Sequence, residues 1–337
     1  MNDPTTPAAG ATTPDDEATP TSGAGTQDRL LMICAIDHRA SLERDMYGLT
    51  APPSPAEAAR IASDKLLVYQ ALLDAVEQLP ATVQPGILID EEYGATAAEL
   101  ATRSRGAVAL AMPIEASGEE WFEFAYGSQW RTHAEFFPAD YAKVLVRDNP
   151  GSDPGARAGQ AERLAEVSEW SAQTGRPLIL ELLVPATDDD LAKVARSSDR
   201  YDDEIRPRLT VQSMEFLQDH GVEPAIWKVE GLDRRVDAEA VVRMAQRGGR
   251  RADCVVLGRH APHDKLDHWL GVAAPVPGFT GFAIGRSIWW DALHAQLHHR
   301  STAGEARRRI TRAYLDFVTY YLEARDGRLP GRLADTW

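Results

Sequence analysis

Positive charge is what this chain has least of: 36 Lys and Arg stand against 51 Asp and Glu, for a formal net charge of −15. That balance excludes nonspecific binding to nucleic acid or to an anionic membrane, while leaving room for a locally basic pocket. Cysteine is scarce too. Cys34 and Cys254 each sit inside an apolar run and read as buried, reduced thiols of a cytoplasmic protein rather than a disulfide. No CxxC or HExxH spacing occurs, so no metal site is expected. No apolar run approaches the ~20 residues that a bilayer crossing needs. The N-terminus has no basic stretch followed by an apolar one, as a signal peptide would.

What is present is an ordinary globular composition, 44% hydrophobic and 26% charged over 337 residues. Residues 1–27 are Thr, Pro, Ala, Gly and Asp with almost no large apolar side chain, and are expected to be a disordered leader. From residue 28 to 337 a single folded domain is expected. Its apolar runs are short and nearly continuous: Leu30 to Asp37, Gly86 to Asp90, Ala107 to Ile114, Ala142 to Val146, Leu178 to Val184, Ala225 to Glu230, Asp253 to Leu257 and Gly281 to Ile284. Between most of them lie stretches of helical spacing, such as Pro55 to Leu79, Thr96 to Arg103 and Pro154 to Thr174, and a long amphipathic stretch from Ala303 to Glu323 ends the series. Strands buried on both faces alternating with helices predict an α/β protein of the (β/α)8 TIM barrel type. A doubly wound open sheet is the alternative, but no strand is followed by GxGxxG or GxxxxGK[ST].

The central stretch is Ala225-Ile-Trp-Lys-Val-Glu-Gly231. Side chains alternate along a strand, so Ile226, Lys228 and Glu230 share one face while Trp227 and Val229 share the other. A charge on an inner face must be paired or neutralised. Lys228 and Glu230 therefore form either a structural ion pair or a site whose neutral lysine attacks a carbonyl. The other strand ends are polar as well. They carry Asp37 and Arg39, Asp90 and Glu92, Lys143 and Arg147, Glu181, Gly258-Arg259 and Gly285-Arg286. Barrel chemistry sits at the C-terminal strand ends, and the last two loops are its usual phosphate seat. Glycine admits a phosphate to backbone N–H groups and arginine offers a matching fork of donors. Lys143 would help to keep Lys228 neutral, and Glu181 would neutralise a lysine or move protons. The aromatic segment Trp121 to Pro138 reads as a substrate wall or as core under a loop. The histidines are assigned no metal.

Ala35-Ile-Asp-His-Arg39, Ile87-Leu-Ile-Asp-Glu-Glu-Tyr-Gly94, Lys143-Val-Leu-Val146, Ile226-Trp-Lys-Val-Glu230 and Ile284-Gly-Arg-Ser287 follow one another as in a group of Schiff-base aldolases. The group includes tagatose-1,6-bisphosphate and sulfofructose-phosphate aldolases. The chain most resembles the aldolase-type domain fused behind some bacterial 5-dehydro-2-deoxygluconate kinases of inositol catabolism. The resemblance spans Leu30 to about Glu323. It implies class I aldol cleavage of a phosphorylated ketose or keto-sugar acid without a cofactor, with Lys228 as the Schiff-base residue, Lys143 as a site residue and Arg286 as a phosphate ligand. Asp37-His38-Arg39 departs from the Asp-Gln-Arg common in that group, so the substrate end is expected to differ. With no kinase segment in the sequence, the expectation is work beside a separate kinase or on another phosphorylated substrate. A sugar-phosphate-binding protein without turnover, or a lyase or isomerase holding a divalent cation on Asp90 and Glu92, are the competing readings. The expected partner is a phosphorylated small molecule, and the aromatic segment and C-terminal helix are the surfaces on which a homo-oligomer would form.

Overall fold

A computed structural model of the protein describes residues 29–104, 106–259 and 261–328. The leader expected over residues 1–27 lies outside that range. Strand β1 (Leu30–Ala35) is followed by helices α1 (Ala40–Asp45) and α2 (Pro55–Val76). Then come β2 (Val83–Leu88), α3 (Glu91–Arg103), β3 (Ala109–Pro113), α4 (Trp130–Phe136), β4 (Tyr141–Arg147) and α5 (Pro154–Thr174). After β5 (Leu178–Leu183) come α6 (Asp188–Lys193), the short α7 (Ser198–Arg200), a π turn at Tyr201–Ile205 and α8 (Arg206–Asp219). The chain continues through β6 (Ile226–Glu230), α9 (Arg235–Ala245), β7 (Asp253–Leu257), α10 (His263–Ala273), β8 (Phe279–Ile284), α11 (Arg286–Leu297) and α12 (Ala303–Arg325). The strands pair in parallel in chain order, and β8 returns to β1, closing a (β/α)8 barrel. Among the described residues, no helix is long and apolar enough to cross a membrane.

The alternation read at Lys228 holds around the barrel. Leu31, Ile33, Ala35, Ile179, Ile226 and Val255 point inward and form an apolar plug. Their neighbours, Trp227 and Val229 among them, face outward into the larger core under the helices. Burying each such aliphatic stabilises by about 1.5–3 kcal/mol relative to exposure, so the plug firmly supports whatever sits above it. The β1–β8 seam is close. Gly281 has φ +150°, and a Cβ there would lie 1.9 Å from the Leu31 carbonyl oxygen, so only glycine fits. Helix α12 secures the same seam, with Tyr314 donating to the Met32 carbonyl at 2.7 Å and Tyr321 to that of Phe279 at 3.0 Å.

Two helices depart from the sequence reading. The helix after β2 starts at Glu91 rather than Thr96, because Asp90 is its N-cap and accepts from the Tyr93 amide at 2.8 Å. The segment after β8, for which the sequence reading set no helix bounds, is helical from Arg286 onward. Ile288, Trp289, Ala292 and Leu293 give it a buried face, and the Trp289 indole donates to the Ala35 carbonyl at 2.9 Å. The polar connection after β5 is likewise largely helical.

Asp90 has a further task. Its carboxylate pairs with Lys65 of α2, and both side chains are essentially inaccessible. Lys65 also donates to the His38 carbonyl at 2.8 Å, tying the exit of β1 to α2. Removing one member of such a pair strands the other charge in the interior. Asp90→Ala is expected to lower the stability by about 3–5 kcal/mol, read as a shift of the urea midpoint. The double replacement Lys65→Met, Asp90→Leu should lose clearly less than Asp90→Ala alone.

Candidate active site

A cavity of about 420 Å³ opens at the C-terminal ends of the strands, and its wall includes Asp37, Glu115, Lys143, Glu181, Lys228 and Arg286. The volume is within the range typical of small-molecule sites. The strand register builds its floor. Glu181 of β5 lies beside Lys228 of β6 and beside Leu145 of β4, two residues beyond Lys143 on the same face. Glu181 Oε2 accepts from the Lys228 amine at 2.8 Å and lies 3.0 Å from the Lys143 amine. Lys143 Nζ also donates to Asp37 Oδ2 at 2.8 Å and to Glu115 Oε1 at 2.6 Å. Lys143 and Lys228 are 1% and 2% exposed, too little for water to solvate either charge.

The protonation pattern follows from burial set against these partners. Burial opposes the Lys143 cation, but Asp37, Glu115 and Glu181 outweigh it and raise its pKa. Lys143 is therefore a fixed ammonium. Burial would likewise raise Asp37 and Glu181, but the Lys143 and Lys228 cations prevail and hold both carboxyls below the usual range. At Glu115 burial prevails over Lys143 and Arg39, with Asp37 adding repulsion, and the pKa is raised. Burial lowers the His38 pKa to about 4 against the pull of Asp37, with the Arg286, Lys65 and Lys228 cations adding to the fall. Its ring packs edge-on against Trp289 at 5.5 Å.

Several residues singled out in the sequence meet here, and others do not. Asp37, Arg39, Lys143, Arg147, Glu181, Lys228, Arg259, Gly285 and Arg286 all contribute to the cavity wall. Arg39 donates to the Glu115 carbonyl at 2.8 Å and Arg147 to that of Glu119 at 2.9 Å, so both brace the β3–α4 loop that forms one wall. Gly285 passes so near β1 that a Cβ would lie 2.5 Å from the Ala35 carbonyl oxygen. Arg286 has no hydrogen-bond or ion-pair partner among the described residues. Asp90 is away from the wall, committed to Lys65, and Glu92 is on the exposed side of α3. The pair that was to hold a divalent cation is thereby separated. Among the described residues, no group of three or more His, Cys, Asp or Glu is placed to hold a metal ion.

Lys228 and Glu230 are not partners. Glu230 accepts from the Val184 amide at 2.9 Å and pairs with Arg259 at 2.9 Å, behind the wall. Arg259 also meets Asp202 at 3.0 Å, so it arrives at the cavity with its charge already matched. Gly258 backs onto Ile284 rather than onto the cavity. The aromatic segment divides. Trp121 and Phe122 reach the wall, whereas Phe124 and Trp130 stack at 4.7 Å and Trp130 is buried in the core. Sequence reasoning stopped the third apolar run short of Glu115 and gave that residue no role. It lies two residues past the end of β3, where strand alternation no longer indicates a facing.

A family model described as "Uncharacterized protein conserved in bacteria (DUF2090)" matches residues 19–325. No curated protein matches. Among solved structures, Cgl0159 from Corynebacterium glutamicum is similar, with a TM-score of 0.53 and 17% identity over 86% of each chain. The fructose-bisphosphate aldolase of Plasmodium falciparum is similar with a TM-score of 0.56 and 14% identity, covering 89% of this chain and 91% of that one. At those identities the likeness is one of fold alone, a (β/α)8 barrel.

The displaced His38 pKa has a consequence for stability. The unfolded imidazole takes up its proton near 6.5, and the folded one only near 4. The contribution is therefore complete above pH 6.5 and is lost as the pH falls toward about 4. The loss is at most of order 3 kcal/mol. Urea midpoints measured from pH 7 down to pH 4 should fall less steeply for His38→Gln than for the unaltered protein.

Proposed function

The chain belongs to the DUF2090 family, and we propose that it is a class I lyase that cleaves a phosphorylated ketose or keto-sugar acid, such as 5-dehydro-2-deoxygluconate 6-phosphate, into a triose phosphate and an aldehyde. The observation that carries this reading is the pair of buried lysines sharing one oxygen of Glu181 at the floor of the cavity. A single lysine at the base of a pocket is explained by one carboxylate. Here Lys143 alone engages three carboxyl groups, whereas Lys228 meets only Glu181. The motifs resembling those of Schiff-base aldolases fall on these same residues.

In the proposed reaction the neutral Lys228 amine adds to the substrate ketone, and loss of water gives an iminium. The bond between the carbons α and β to it then breaks, and its electron pair flows into the iminium as an enamine. The β-hydroxyl gives its proton to the Glu181 carboxylate, which returns it to the enamine carbon, and the aldehyde leaves. Reprotonation of the enamine carbon and hydrolysis release dihydroxyacetone phosphate or a similar triose phosphate and restore Lys228. Lys143, held as an ammonium, stabilises oxyanions that form beside it. Arg286, at the start of α11 and making no ion pair within 4 Å, faces the substrate phosphate, with the α11 N-terminus adding backbone donors. Asp37, Arg39 and Arg147 line the remaining wall and hold hydroxyls or a carboxylate.

Lys228→Met is expected to lower the retro-aldol turnover number by at least about a thousandfold with the circular-dichroism spectrum unchanged. Turnover at the unaltered rate would remove Lys228 from the chemistry. Arg286→Ala should weaken kcat/KM for the phosphorylated substrate by about 10–100-fold, the worth of a lost charge-assisted hydrogen bond, and leave the unphosphorylated analogue unaffected. An equal loss with both substrates would place the phosphate elsewhere.

A further inference from the structure

Iminium formation consumes a proton. A neutral amine and a ketone give a cation and water only if an acid supplies one hydrogen ion, and in a buried site that acid must be stored beforehand. Glu181 is the nearest carboxyl to Lys228, but Lys143 and Lys228 hold it ionised. Asp37 is ionised for the same reason. The third carboxyl, Glu115, differs in geometry. Its Oε1 accepts from Lys143 at 2.6 Å, whereas its Oε2 is buried and has no hydrogen-bond partner. An unpaired carboxylate oxygen in the interior is costly, and a neutral carboxyl in that place costs less. Arg39 does not supply the missing contact. Its Nη2 donates to the Glu115 backbone carbonyl, and its nearest approach to the carboxyl is 3.9 Å, to Oε1.

The charge balance agrees. Asp37, Glu115 and Glu181 face Lys143, Lys228 and Arg39, three groups of either sign. Moving one proton from Lys228 to Glu115 leaves the net charge unchanged and yields a nucleophilic amine and an acid together. Contacts of 2.8, 3.0 and 2.6 Å lead from Lys228 through Glu181 and Lys143 to Glu115. Resting on the Schiff-base reading above, we propose that Glu115 is the general acid of iminium formation: its Oε2 is closed off from the cavity, so the carboxyl turns about its Cγ–Cδ bond to deliver its proton to the carbinolamine hydroxyl in the cavity that Glu115 and Lys228 both line. The Lys228 nitrogen attacks the ketone carbon, and the proton that the nitrogen loses ends on the former carbonyl oxygen. The O–H bond of Glu115 then breaks and its proton joins that hydroxyl. The C–O bond breaks with its electron pair and water leaves, while the nitrogen lone pair closes the C=N bond. Neutral acid and amine have become carboxylate and iminium. Glu115 is also positioned to take the proton back when the iminium is hydrolysed.

The test mixes the full-length protein with dihydroxyacetone phosphate and follows infrared difference spectra alongside borohydride reduction. The expected result is that a protonated-carboxyl C=O band disappears and a carboxylate band appears as the reducible adduct forms. The band should be missing in Glu115→Gln, which should form adduct at least about a hundredfold more slowly at saturating dihydroxyacetone phosphate. Glu115→Asp should regain part of the rate. An adduct that forms in the unaltered protein with no loss of a protonated carboxyl overturns the assignment of Glu115 alone, as does adduct formation by Glu115→Gln at the unaltered rate. No adduct in the unaltered protein despite bound ligand overturns the Schiff-base reading, and this assignment with it.

Discussion

The ammonium of Lys143 is the centre on which the site depends. It is 1% exposed and gripped at 2.6–3.0 Å by carboxyl groups from the end of β1, the turn after β3 and the middle of β5. An isolated ammonium in that position would cost many kcal/mol, and three acidic partners offset the cost only if all arrive together. The closed barrel brings them together, since parallel strands in fixed register set Lys143, Glu181 and Lys228 side by side above an apolar plug. Because Lys143 satisfies most of the acidic charge, Lys228 is held by a single oxygen. The opposite roles proposed for these two chemically identical residues rest on how many carboxyl groups each one faces.

The groups around this centre hold it in register. Lys65 binds the His38 carbonyl, so the buried Lys65–Asp90 pair fixes the backbone next to Asp37. Arg39 binds the Glu115 carbonyl and fixes the turn that carries the third carboxylate. Arg259 is occupied by Asp202 and Glu230, whereas Arg286 on the adjacent strand end makes no close ion pair among the described residues. Two arginines that look alike in sequence thus divide into a structural brace and a candidate anion receptor. The difference comes from the π turn after β5, which delivers Asp202 to one of them.

This division explains how far the sequence could be read. The barrel was legible because buried parallel strands leave short aliphatic runs, and the inward facing of Lys228 followed from a period of two. Lys143 and Glu181 were legible for the same reason. Partners were not, because ion pairing is decided by residues far apart in the chain. Glu230 shares a strand face with Lys228 yet serves Arg259, and Asp90 closes a strand run yet serves Lys65 from 25 residues away. Glu115 escaped because it follows the strand, where the alternation has ended. The bounds of helix α11 were not legible because Gly285-Arg286 resembles a turn, and the packing of Trp289 against β1 shows where the helix begins.

The two lysines make a claim that one covalent experiment resolves. Reduction with borohydride in the presence of dihydroxyacetone phosphate, followed by peptide mass spectrometry, identifies the nitrogen that attacks the carbonyl. The arrangement described here requires one stable adduct per chain, on Lys228. An adduct on Lys143 would contradict it by reversing the two roles, and bound ligand with no adduct on either lysine would contradict the Schiff-base chemistry itself.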